Sequence, residues 1–152
     1  MPTIEELIKT KPIKDPHERA LLNIIYTGSW IINRVNATLK PYGISEPQYN
    51  VLRILRGQHG EAMNLFEIQS RMVQRMSNVS RLIDKLLDKG LVERTECKEN
   101  RRMVDISITP KGLQLLTDLE TPLNENLQKI TSCLKKEEAA QLALWLDAMH
   151  NE

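Results

Sequence analysis

The sequence is short of cysteine, histidine, aromatic residues and long apolar runs, and each shortage excludes something. Its two cysteines, Cys97 and Cys133, form no C-x-x-C pair, so neither a zinc ribbon nor a thioredoxin-type site is encoded. Both are expected as free thiols in a reducing compartment. His17, His59 and His150 are scattered, without H-x-x-x-H or H-E-x-x-H spacing, so no metal site is expected. There is no nucleophile motif, no glycine-rich phosphate loop and no paired His/acid spacing, so the chain reads as a non-enzyme without a cofactor. No apolar run approaches the about 20 residues that a membrane helix needs. The start, Met1-Pro2-Thr3-Ile4-Glu5-Glu6, is acidic and does not resemble a signal peptide, so a cytoplasmic location is the expectation.

What is present fits one globular unit. A length of 152 residues suits a single domain with its own core, and 41% apolar with 27% charged residues excludes a disordered chain. Six Gly and seven Pro point to a mostly helical fold with few tight turns. The net charge of +1 hides an uneven distribution: residues 71–102 carry +4 and the remainder −3. Such a local excess can be the footprint of a polyanion-binding surface or a solvated helix face.

Punctuation along the chain sets the elements. Thr3 to Glu6 is a capping box for a short helix that Pro12 is expected to end. Asp15 and Pro16 start a long helix over about 16–40, with Leu21, Leu22, Ile24, Ile25, Ile31, Ile32, Val35 and Leu39 as its apolar stripe. Ser45, with Gln48 three residues on, opens the next helix, and Asn64 opens a short one bearing Leu65, Phe66, Ile68 and Met72. Ser77 is expected to cap another, with Val79, Leu82, Ile83, Leu86 and Leu87 buried and Lys89-Gly90 at its end. The period then changes from helical to two. Leu91 to Cys97 and Met103 to Ile108 read as a β-hairpin whose tip is Lys98-Glu99-Asn100-Arg101-Arg102. Thr109-Pro110 starts a helix running toward Cys133-Leu134, with a kink expected at Pro122, and Lys136 to Met149 form a last amphipathic helix.

A short helix followed by a tight turn and a capped second helix is a helix-turn-helix. Its second helix would lie in the DNA major groove with its N-terminal residues toward base edges. Those residues are Ser77, Asn78, Ser80 and Arg81, preceded by Gln74 and Arg75. Asn and Gln suit adenine, Arg suits guanine and Ser suits either type of edge. Arg71 and Lys85 are expected on phosphate. The hairpin makes a wing, and Lys98, Asn100, Arg101 and Arg102 at its tip would reach phosphate or the minor groove.

The run Val79-Ser80-Arg81-Leu82-Ile83-Asp84-Lys85-Leu86-Leu87-Asp88-Lys89-Gly90-Leu91-Val92-Glu93-Arg94, with Asn100-Arg101-Arg102 and Ile108-Thr109-Pro110-Lys111-Gly112, resembles the MarR family of winged helix-turn-helix regulators. Gly43-Ile44-Ser45, Gln48 and Val51-Leu52 are similar to that family's segment ahead of the DNA-binding lobe. The likeness spans roughly residues 16–150. It implies a mainly α fold with a small β-hairpin: one domain over 1–152, a winged lobe at 44–109, and helical dimerisation regions at 1–42 and 110–152. It further implies a homodimer on a pseudo-palindromic double-stranded operator, acting as a repressor that a small phenolic or aromatic effector, or thiol oxidation, releases. The family's wing usually reads Asp-x-Arg. Here Asn100 takes the Asp position, so Arg102 is held without charge assistance and weaker wing contacts are expected. The alternative is a winged-helix protein-interaction module without DNA binding.

Other residues have plainer roles beside functional ones. Trp30, Ile31, Leu134, Leu142, Trp145 and Met149 are interface candidates. Tyr26, Trp30, Tyr49 and Arg53 could wall a cleft for an aromatic carboxylate, although core and interface packing explains any one of them. Glu96 and Glu99 disfavour a thiolate at Cys97 more than Lys98 favours it, so no redox sensor is assigned there. Cys133 reads as a small core residue. Asp84 and Asp88 alternate with Arg81 and Lys85 as helix-surface pairs.

Overall fold

The structure, a computed structural model, describes residues 1–96 and 104–150. The expectations for Cys97, Lys98, Asn100, Arg101 and Arg102 therefore lie outside the described residues. Seven α-helices and three strands are present among them. Helix α1 (Ile4–Leu7) has the expected capping box, with Thr3 accepting from the Glu6 backbone and Glu6 returning to the Thr3 backbone. It ends well before Pro12. Ile8 is its C-cap, and Lys9 in the left-handed region (φ 55°) turns the chain away. Helix α2 (Pro16–Leu39) is capped by Asp15, and a single 3-10 turn over Lys40–Tyr42 leads into α3 (Glu46–Arg56). The Ser45/Gln48 capping box is formed.

A strand that the sequence pattern did not announce follows. Strand β1 (Met63–Asn64) pairs antiparallel with β3 (Val104–Ile108), which also pairs with β2 (Val92–Glu96). The sheet order is β1-β3-β2, and Ile106 is the shared centre, opposite Met63 on one side and Arg94 on the other. The hairpin is thus a three-stranded sheet rooted at the start of α4 (Leu65–Arg71). Gly90, at φ 68°, supplies the left-handed turn between α5 (Val79–Asp88) and β2.

The core belongs to this lobe. Val51, Leu52 and Leu55 of α3, Ile68 of α4, Ile83 and Leu86 of α5 and Ile106 of β3 are fully buried together. Helix α6 (Pro110–Thr131) shares that core through Leu116, Leu119 and Leu123, and α2 enters it at Leu39. Pro122 sits inside α6 without ending it. Gly112 lets α6 start hard against the wing: a Cβ there would stand 2.3 Å from the Leu91 carbonyl oxygen and 2.7 Å from Ile108 Cγ1.

Helix α7 (Lys136–Ala148) buries none of its residues, and Leu142, Trp145, Leu134, Met149 and Trp30 are all exposed in the single chain. Phe66 of α4 is 80% exposed, while Leu65 and Ile68 face the core. One expectation fails here. Cys133 is an exposed free thiol rather than a core residue, since it falls in the turn between α6 and α7. No described helix is long and apolar enough to cross a membrane.

Candidate nucleic-acid interface

Helix α5 has two faces. Val79, Ile83 and Leu86 are buried, which fixes the helix to the lobe, while Ser80, Arg81, Asp84, Lys85 and Asp88 face solvent. Its cap is Asn78, not Ser77: Asn78 Oδ1 accepts from the Arg81 backbone N–H at 3.2 Å. The Ser77 backbone instead closes a turn onto the Gln74 carbonyl. This changes what Asn78 can do. With its amide oxygen on the helix start, its NH₂ is free to donate, but bidentate pairing with adenine, which needs donor and acceptor together, would cost the cap.

The segment between α4 and α5 is pinned from behind by three side chains: Asn50 and Gln69, which sequence reasoning did not single out, and Gln74, which it placed on bases. Asn50 Oδ1 on α3 accepts from the Val73 backbone at 2.9 Å. Gln69 donates to the Arg75 carbonyl at 2.8 Å. Gln74 donates through Nε2 to Glu46 Oε2 on α3. The partners lie as far as 28 residues apart, so no local pattern could have revealed them. The Gln74 side chain is thereby held toward α3, while Arg71, Arg75 and Arg81 are exposed. Burial pushes the Glu46 carboxyl above the usual carboxylate range, and the Gln74 hydrogen bond pulls it partly back.

Electrostatic pairing on α5 also differs from the expected helix-surface pattern. Asp84 does not sit with Arg81 or Lys85 but accepts from Arg94 of β2 at 2.6 Å. Arg81 and Lys85 carry no ion pair among the described residues, which leaves two cations on the outward face.

The four residues considered for an effector cleft separate into two pairs. Tyr49 and Arg53 line a cavity of about 270 Å³ between α2, α3 and α6, with the Arg53 guanidinium 5.9 Å from the Tyr49 ring centroid. Ile31, Ile32, Val35, Leu123 and Leu127 supply its aliphatic walls, and Glu46 and Val73 complete it. Tyr26 and Trp30 are not among its lining residues. At 3.6 residues per turn they lie roughly 150–170° around α2 from the Ile31–Val35 wall, and Trp30 instead stacks under Arg34 at 5.0 Å. Among the described residues, no group of three His, Cys, Asp or Glu side chains is placed to hold a metal.

A family model described as MarR family matches residues 44–104. The transcriptional repressor MprA of Escherichia coli K12 is 26% identical over 144 residues, covering 91% of this chain and 82% of that protein. The crystal structure of a MarR transcription factor from Planctomyces limnophilus is 32% identical, with a TM-score of 0.70 over 90% of this chain and 99% of that one. The fold is also that of the C80S mutant of Escherichia coli MarR complexed with operator DNA, at 22% identity and a TM-score of 0.77 over 90% of this chain and 99% of that one.

Proposed function

The chain belongs to the MarR family of transcriptional regulators, and from that premise we propose that it represses transcription as a homodimer on a pseudo-palindromic operator. One observation carries the DNA-binding half of this reading. Helix α5 is anchored by Val79, Ile83 and Leu86 and offers Ser80, Arg81 and Lys85 outward. That is the arrangement a helix needs to enter a major groove without leaving its lobe.

Arg81, Ser77, Ser80 and the free NH₂ of Asn78 read bases, with Arg81 suited to guanine. Arg71, Arg75 and Lys85 meet phosphate, and Lys98, Asn100, Arg101 and Arg102 extend contact from the wing. Gln74 supports the surface from behind through Glu46. The winged lobe spans 44–109. Helices from 1–42 and 110–152 form the dimer, in which the exposed Trp30, Leu142, Trp145 and Met149 find their cover. A small organic effector entering the Tyr49–Arg53 cavity favours the conformation released from DNA. A protein-interaction module without DNA binding is not favoured, because α5 keeps both Arg81 and Lys85 free of ion pairs among the described residues.

The test is selection of bound sequences from a random duplex pool at two salt concentrations. Enrichment of a palindrome with half-sites about one helical turn apart is the expected result, with affinity falling steeply as salt rises. Salt-sensitive binding without any enriched sequence would sink the operator reading.

A further inference from the structure

The cavity beside α3 and the segment that launches α5 share a wall and a hydrogen bond. Val73 lines the cavity, and its neighbour Gln74 donates to Glu46, which lines it too. A molecule entering there meets the carboxylate that holds this segment in place. Among the described residues Glu46 makes no ion pair; its partner is a neutral amide, and the side chain is half-buried among aliphatic walls. Arg53 at the rim is exposed, so water screens its charge more effectively than that of Glu46.

Resting on the effector-responsive reading above, we propose that the cavity selects a compact aromatic ammonium ion rather than an aromatic carboxylate, and that the ligand's N–H groups displace Gln74 from Glu46. An ammonium–carboxylate hydrogen bond is charged on both donor and acceptor and is stronger than the amide–carboxylate bond it replaces, which is charged on the acceptor alone. Its aromatic body occupies the space between Ile31, Val35 and Leu127. The segment from 72 to 78 then loses one of its three side-chain pins and keeps Asn50–Val73 and Gln69–Arg75. The helix start that carries Arg81 becomes less fixed, so operator affinity falls. The coupling is thermodynamic: the ammonium binds the released segment better than the pinned one.

Three ring-matched probes test this on the full chain: 1-naphthylmethylammonium, 1-naphthoate and 1-naphthylmethanol, each titrated by calorimetry. The ammonium is expected to bind about tenfold tighter than either other probe. Glu46→Gln should erase that preference. Gln74→Ala, which removes the internal competitor, should keep or strengthen it. Amide exchange in residues 72–78 should quicken when the ammonium binds the native chain and should already be fast in Gln74→Ala. Preference for naphthoate, equal binding of all three, no binding of any, or an ammonium preference that survives Glu46→Gln would each overturn the proposal. Ammonium binding through Glu46 in a protein that binds no duplex would leave this ligand assignment standing and count against the repressor reading alone.

Discussion

Asp84 of α5 and Arg94 of β2 meet at 2.6 Å, tying the helix proposed to read DNA to the first strand of the wing. Both side chains are about half exposed, so the pair's worth for stability is small. Asp84→Asn is expected to change unfolding stability by less than about 1 kcal/mol. It removes an anion from the face proposed to meet phosphate and releases a cation beside it, so non-specific duplex binding should tighten and become more salt-sensitive. Duplex titrations at two salt concentrations, beside a urea denaturation curve, check both halves.

Capping and base reading can be separated at Asn78. Asn78→Ala loses the bond to the Arg81 backbone and should cost about 1 kcal/mol of stability, whereas Asn78→Ser keeps a cap oxygen and should stay near wild type. If the amide NH₂ also reads a base, Asn78→Ser will alter the selected operator without lowering the urea midpoint. Arg81→Ala is the companion: roughly 1–3 kcal/mol lost on the operator, with relaxed preference at one base position.

At Gly112 two effects oppose each other. Alanine in a helix is favoured over glycine by about 1 kcal/mol. Here, however, its Cβ would stand 2.3 Å from the Leu91 carbonyl, which is itself held by the Thr109 N–H at 3.1 Å and cannot easily yield. Overpacking of this kind costs about 1–3 kcal/mol, so Gly112→Ala should lower the urea midpoint. A higher midpoint would mean that the junction between wing and α6 gives way without strain.

The N-terminal helix is tethered by charge. Arg19 grips Glu5 through two bonds, at 2.7 and 3.2 Å, and this holds the Glu5 carboxyl down at about 2. A folded value below the ordinary carboxylate value of 4.5 means that the tether is fully present above that pH and is lost as pH falls toward 2. Amide protection in residues 1–12, taken relative to the intrinsic exchange rate at each pH, should therefore fall across that window in the native chain. Arg19→Ala should show fast exchange already at neutral pH.

Where the sequence was legible, the cause was local chemistry. Thr3, Asp15, Ser45, Asn64 and Thr109 each combine a capping oxygen with a helix-forming run, and each marks a real helix start. Ser77 and Asn78 are adjacent and equally able to cap; burial of Val79 and the turn from Ser77 to Gln74 decide for Asn78. Strand β1 is two residues long, too short for any alternation, and exists only because β3 pairs with it from far along the chain. Glu46 was missed for the same reason. Its importance comes from Gln74 and from a cavity built by three helices, neither of which a linear pattern contains.

Helix α7 adds nothing to the lobe's core, and Leu144 and Trp145 stand more than 60% exposed. Thirteen residues are too few to hold a helix in water on propensity alone. In the dimer proposed above, a second copy covers this helix, so its order is linked to dimerisation and is expected to fall on dilution. Protein concentration would then set the fraction of molecules that carry an ordered seventh helix.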